Sequence, residues 1–270
     1  MPNNTKKILD KYHIRLDKNK SQNYLINNEK LEHILLAADI TKQDTILEIG
    51  AGIGTLTIPM AKRAKKVIAI EKDPVIADIL SQRLIQEHLD NVELLTDDAL
   101  KIDYPEFDKV VSNLPYQISS PITFKLLDYD FKKAILMYQY EFAKRMQADV
   151  GTKEYSRLSV ALYFRCDSRI IDTLPPECFL PKPKVNSAVI ELIPKQNNID
   201  KIFDNTIRAL FQHRNKKARK ALVNSAHEIN MNKKDLKGKL ASIDNPLLDE
   251  KVFLLTPEQI LEISEIIKDL

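Results

Sequence analysis

The sequence predicts an α/β domain built on a mostly parallel sheet, followed by a small helical domain. Three observations predict it. Short β-branched runs alternate with segments of helical period from residue 45 to residue 139; Gly50, Gly52 and Gly54 crowd directly behind the first such run in a chain with only five glycines; and no strand pattern remains beyond residue 198.

Residues 1–30 read as a polar lead-in able to order against a nucleic acid; its first twenty residues carry Lys6, Lys7, Lys11, Arg15, Lys18 and Lys20 against Asp10 and Asp17. Leu31, Ile34, Leu35 and Ala38 then recur at helical spacing. The alternation that follows predicts strand 45–49, helix 54–63, strand 67–71, helix 74–87, strands 91–95 and 108–112, helix 120–128 and strand 134–139. Val67 to Ile70 is continuously apolar, as a parallel strand covered on both faces should be. Helices 141–147 and 155–163 precede strand 166–173, and 185–193 alternates as a final strand. Between those strands, Pro175 to Pro183 is too rich in proline for regular structure. Pro194 to Asn198 reads as a linker, after which 199–226, 233–243 and 257–270 suit helices. The expected domains are therefore 1–196 and 197–270.

With 44% hydrophobic and 29% charged residues, the chain can bury a core without disulfides or metals. Its apolar runs are too short to cross a bilayer and the N-terminus lacks an apolar signal core, so a cytoplasmic protein with no membrane partner is expected. Cys166 and Cys178 are too few for a disulfide framework or thiolate site, and the five histidines lack ligand spacing, so no metal is assigned.

Glycine after a strand and before a helix lets a ligand approach the backbone at the carboxyl edge of a parallel sheet. Gly50-Ala51-Gly52-Ile53-Gly54 is one residue tighter than the dinucleotide fingerprint, and no phosphate-cradling G-x-x-x-x-G-K-[ST] is present. S-adenosylmethionine, an adenosine cofactor without phosphate, fits better. Strand 67–71 ends in Glu71, whose carboxylate can accept from both ribose hydroxyls. The strand at 91–95 leads into Asp97 and Asp98, either of which could accept the cofactor's adenine amine or simply cap a turn.

Asn113-Leu114-Pro115-Tyr116 follows the fourth strand. The adenine N6 amine is a poor nucleophile because its lone pair is delocalised, so an enzyme must hold it with that lone pair aimed at the methyl donor. The Asn113 side-chain oxygen and the Leu114 carbonyl, fixed by the extended geometry Pro115 imposes, can accept its two N–H bonds. Tyr116 offers a face on which an extruded base can stack, and Phe179 could close the other face. Taken alone, the tetrapeptide would equally suit an ordinary turn.

Over nearly the whole chain these residues resemble the small-subunit ribosomal RNA adenine N6,N6-dimethyltransferase family. Ser21-Gln22-Asn23-Tyr24-Leu25 is similar to its Gly-Gln-Asn-Phe-Leu signature, Glu48 to Thr57 to its Glu-x-Gly-x-Gly-x-Gly-x-Leu-Thr motif, and Asn113 to Tyr116 matches unchanged. Tyr155 to Ser159 and Phe179 to Val189 also resemble family motifs, and Tyr138 to Met146 has the archaeal form. Ser21, Tyr24 and Gln117 depart from the usual glycine, phenylalanine and asparagine. The resemblance implies a Rossmann-like class I methyltransferase fold with an antiparallel last strand and S-adenosylmethionine as cofactor. It implies cofactor contacts from Asn23, Leu25, Gly50, Glu71, Asp98 and Asn113, with Gly52 and Gly54 in the same turn. It further implies a substrate of two adjacent adenines near the 3′ end of small-subunit ribosomal RNA, in a maturing 30S-type subunit; a monomer is expected.

Phe211 to Leu222 resembles the family's basic helix, with Asn215 where arginine is common. A helix there would bring Arg208, Lys216, Arg219 and Lys220 to one surface, with Arg214 and Lys217 beside them and no acid from Ile207 through Asn224, a pattern suited to phosphates. A solvated charged face is the plainer alternative. The rival functions are a large-subunit ribosomal RNA methyltransferase of the antibiotic-resistance type, against which the basic segment argues, and a noncatalytic assembly factor, against which the intact glycine turn and Asn113 argue.

Overall fold

A computed structural model describes residues 5–12, 23–196 and 199–270. Lys18, Lys20 and the Ser21-Gln22 start of the N-terminal motif lie outside them. The chain divides into two compact units, Met1–Ala143 with Ser168–Pro194, and Lys144–Asp167 with Lys195–Leu270. The segment 144–167, placed in the first domain by sequence, thus groups with the C-terminal helices. Its packing explains this: Arg165 Nη2 donates to both carboxylate oxygens of Asp204, Phe164 meets Phe203 edge-on, and the Tyr155 hydroxyl donates to the Leu255 carbonyl.

In chain order the elements are α1 (Thr5–Lys11), β1 (Tyr24–Leu25), α2 (Asn28–Ala38), β2 (Thr45–Ile49), α3 (Thr57–Ala61), β3 (Lys66–Ile70), α4 (Pro74–Gln86), β4 (Val92–Leu95), β5 (Lys109–Asn113), α5 (Ser119–Leu126) and β6 (Lys133–Gln139). There follow α6 (Tyr140–Met146), α7 (Arg157–Arg165), β7 (Cys166–Leu174), β8 (Phe179–Leu180), β9 (Ser187–Pro194), α8 (Lys201–Phe211), α9 (Ala218–Asn224), α10 (Lys233–Ala241) and α11 (Pro257–Lys268). Among the described residues no helix is long and apolar enough to cross a membrane.

The main sheet has the order β4-β3-β2-β5-β6-β9-β7. β4 through β6 are parallel, and β9 runs antiparallel to β6 with Met137 opposite Val189, as expected of a mostly parallel sheet with an antiparallel last strand. Ile46, Leu47, Val67, Ile68, Val110 and Val111 are fully buried, which accounts for their uninterrupted apolar runs. The order reverses at β2, whose neighbours are β3 on one side and β5 on the other, and such a switch point opens a crevice at the strands' carboxyl ends. Helix α4 starts where sequence places it, because Asp73 accepts from the Val75 N–H and Pro74 occupies the first turn.

Four expectations change. Helix 54–63 shortens to α3, since the chain is still turning at Gly54, whose N–H donates to Ala51. Within 175–183 a two-stranded pairing appears: β8 runs antiparallel to β1, Leu25 facing Phe179, and Ile26 donates to the Cys178 carbonyl. The polar lead-in holds a helix, α1, because Leu9 packs with Tyr24, Ile53, Ile76 and Ile79 and the Thr5 hydroxyl donates to the Leu25 carbonyl. In the second unit, helix 199–226 is broken at 212–217. There the backbone pairs with a distant segment instead: Val252 donates to the Lys216 carbonyl, Phe253 to Arg214, and Ala218 to Glu250.

Candidate functional site

The turn after β2 is drawn toward β3, with the N–H groups of Gly50 and Ala51 both donating to the Ile70 carbonyl. Gly50 has φ +76°, and a Cβ on it would stand 3.0 Å from Cδ of Pro115. The glycine therefore allows the Asn113–Tyr116 loop to close against this turn. Gly52 likewise admits the Tyr24 ring, to which a Cβ would come within 3.1 Å. Gly54 does not line the cavity that results and faces Leu80 of α4.

That cavity encloses about 610 Å³ at the carboxyl ends of β2, β3, β4 and β5. Asn23, Leu25, Gly50, Gly52, Glu71, Asp97, Asp98 and the whole Asn113–Tyr116 segment share its wall. The glycine turn and the tetrapeptide, with Gly52 and Asn113 61 residues apart in sequence, thus bound one space.

The two glutamates of the cavity are buried. Glu71 Oε2 accepts from the Gly52 N–H at 2.8 Å and Oε1 from the Asp73 N–H at 2.9 Å. These bonds orient the carboxylate, while burial raises its pKa against their opposing pull. Glu48, in β2, is 2% exposed and accepts from the Thr57 hydroxyl at 2.5 Å. Burial, reinforced by the nearby Glu71 charge, pushes its pKa up to about 8 although the Thr57 bond opposes the shift. Asp98 is the contrasting acid: Lys72 pairs with it at 2.9 Å and the Leu100 N–H donates to it at 3.0 Å, holding its carboxyl below the usual range. Asp97 lies beside it, accepting from the Asp98 N–H at 2.6 Å.

The Asn113 Nδ2 group donates to the Asn23 carbonyl at 2.8 Å. This fixes the amide plane and leaves Oδ1 without a partner among the described residues. Pro115 has φ −58° and ψ 125°, and the Tyr116 hydroxyl bonds Ser187 Oγ at 2.6 Å, so the ring is held from its far end while its body lines the cavity. Phe179, expected over the second face of a base, is instead fully buried with Leu25, Leu31 and Leu35. It does not line the cavity, because its pairing in β8 turns it into the core.

Sequence reasoning overlooked Glu48 and Thr55 as cavity residues. Glu48 is the one acid inside an otherwise apolar strand, which was its signal. Thr55 and Tyr24 line the cavity with buried hydroxyls that have no hydrogen-bond partner among the described residues. A buried polar atom of this kind costs stability.

In the second unit the broken helix redistributes the basic residues. Arg208 is on α8 beside Glu228, Arg214 donates to the Thr152 and Lys153 carbonyls and lies over Phe253, and Arg219 donates to the Leu240 and Ile243 carbonyls and pairs with Asp249. Lys217 also faces Asp249. Lys216 and Lys220 are exposed, with no side-chain partner among the described residues. A single helical face therefore does not carry all of these residues; the two arginines anchor the turn and the lysines remain on the surface.

The family model described as "Ribosomal RNA adenine dimethylase" matches residues 14–269. The chain is 71% identical over 266 residues to the "Probable ribosomal RNA small subunit methyltransferase A" of Methanosphaera stadtmanae, covering 98% of each chain. Among solved structures it is similar to a dimethyladenosine transferase from Plasmodium falciparum, with a TM-score of 0.75 and 32% identity over 91% of this chain and 97% of that one. The 23S rRNA methyltransferase ErmE shares the fold, with a TM-score of 0.65 and 24% identity over 91% of this chain and all of the other.

Proposed function

This chain belongs to the ribosomal RNA adenine dimethylase family, and we propose that its first unit holds S-adenosylmethionine between the glycine turn and the Asn113–Tyr116 loop. It is a ribosomal RNA adenine dimethyltransferase of class I fold, its methyl donor is S-adenosylmethionine and its partner is RNA. The observation that carries the placement is the packing of Pro115 against Gly50, where a Cβ would stand 3.0 Å from Pro115 Cδ, which makes one cavity of cofactor turn and catalytic loop.

The lining fits the cofactor group by group. Glu71, oriented by two backbone N–H bonds, would take the ribose hydroxyls; Asp98 would take the adenine amine; Asn23 and Leu25 would complete the wall. The Glu71 carboxylate, held in the cavity wall by two backbone N–H groups, favours a ligand carrying positive charge. When bound, the cofactor supplies an electrophilic methyl group.

Catalysis by this chain is positioning. Asn113 spends its amide N–H on Asn23 and keeps Oδ1 for one adenine N–H, while the Leu114 carbonyl accepts the other. Both bonds rotate the nitrogen lone pair out of the ring's conjugation and toward the methyl. A monomethylated amine retains one N–H, so one acceptor suffices for the second transfer. Tyr116, anchored through Ser187, stacks on the extruded base. The methylated amine is acidic enough to release its proton to water.

The substrate is taken to be two adjacent adenines near the 3′ end of small-subunit ribosomal RNA within a maturing subunit, acted on by a monomer in the cytoplasm. The similarity to the small-subunit methyltransferase A of Methanosphaera stadtmanae supports the choice of subunit. The first unit would carry the chemistry, and the second, through Arg208, Arg214, Lys216, Lys217, Arg219 and Lys220, would meet RNA. Incubation with undermethylated small ribosomal subunits and labelled S-adenosylmethionine, followed by mapping of the modified nucleotides, tests this. Label at two neighbouring adenines is expected, and the absence of label from the small-subunit RNA would refute the choice.

A further inference from the structure

Four of the five glycines take positive φ at turns, namely Gly50, Gly52, Gly54 and Gly151. The fifth, Gly238, lies inside α10, where glycine weakens a helix more than any residue but proline. A Cβ built on it would meet nothing within 4 Å, so packing does not demand its absence. Gly238 is exposed, and Lys233, Lys234 and Lys237 are exposed with it, while Leu236 and Leu240 bury the opposite face. None of these three lysines has a side-chain partner among the described residues; Lys239 alone is engaged, at the Leu270 carbonyl. Lysines at i, i+3 and i, i+4 share a strip and repel one another, a cost that an anionic partner removes.

We propose that α10 is an RNA-docking face, on which Lys233, Lys234 and Lys237 meet backbone phosphates and Gly238 lets the strand come close to the helix. This rests on the reading of the chain as a ribosomal RNA methyltransferase. Phosphate contacts release counterions, so each contributes roughly 0.7–0.9 to the slope of log affinity against log salt. The test uses the full chain, undermethylated small ribosomal subunits and the deproteinised small-subunit RNA, with binding measured across salt and urea midpoints measured in parallel. The triple variant Lys233→Gln, Lys234→Gln, Lys237→Gln should weaken binding to both probes and flatten the slope by about 2–3. Gly238→Ala should raise the urea midpoint yet weaken binding severalfold. A triple variant with the parent's slope, or a Gly238→Ala protein that is more stable and binds as tightly as the parent, overturns the proposal. An effect seen on particles but absent on bare RNA overturns it in favour of a protein partner. Failure of the parent to bind either probe would instead overturn the ribosomal RNA reading beneath it.

Discussion

Replacing Glu48 by glutamine should change how folding stability depends on pH. Glu48 is 2% exposed, its one hydrogen-bond donor is the Thr57 hydroxyl, and Glu71 adds a second negative charge nearby, so its pKa rises from 4.5 to about 8. Between these values the folded chain keeps a proton on Glu48 that the unfolded chain has released. Stability contributed by that proton is full below about pH 4.5 and is lost as pH rises toward 8, at roughly 1.4 kcal/mol per pH unit. The whole span is on the order of 4–5 kcal/mol. Glutamine keeps an acceptor for Thr57 and carries no charge, so urea unfolding of the cofactor-free variant should lack this decline. Groups common to variant and parent cancel in the difference, which reports Glu48 together with its coupling to Glu71. Parallel stability curves for parent and Glu48→Gln from pH 5.5 to 8.5 would refute the reasoning.

Three further outcomes follow from the cavity wall. Gly50→Ala places a Cβ 3.0 Å from Pro115 at φ +76°, so it should cost about 1–2 kcal/mol of stability, and methyl transfer should fall further than cofactor affinity as the loop is pushed away. Equal losses in both would speak against a strained loop contact. Tyr24→Phe removes a buried hydroxyl without a partner among the described residues and should leave the cofactor-free protein at least as stable as the parent by calorimetry. A loss above about 1 kcal/mol would show the hydroxyl to be bonded. Tyr116→Phe forfeits only the Ser187 bond, whereas Tyr116→Ala also forfeits base stacking worth about 1–3 kcal/mol. The alanine variant should accordingly raise the KM for RNA well above that of the phenylalanine variant, and similar values would discount stacking.

The parallel sheet and the acids at its strand ends were legible because burial on both faces leaves long apolar runs and because strand ends expose whatever follows them. Glu71, Asp98 and the Asn113 loop come together as the strand order requires. What escaped notice depends on contacts between distant segments. The Tyr24–Leu25 and Phe179–Leu180 pairing is too short to leave a period of two, and it turns Phe179 into the core although the surrounding prolines suggest a loop. The break at 212–217 leaves no helix-breaking residue to read, since the backbone there is captured by 250–253. Arg214 and Arg219 look like free charges in sequence and turn out to cap backbone carbonyls. Glu48 is visible as an acid in an apolar strand, but its raised pKa follows only from full burial beside Glu71.

The most direct test of a positioning mechanism is single-turnover methyl transfer to undermethylated small subunits by the parent and by Asn113→Ala, with S-adenosylmethionine affinity measured calorimetrically on the same preparations. Loss of one oriented acceptor should slow transfer by about 100-fold or more while cofactor affinity stays within a few-fold of the parent. Equal transfer rates, or a rate loss fully matched by lost cofactor affinity, would contradict the role given to Asn113 and with it the shared cavity's chemistry.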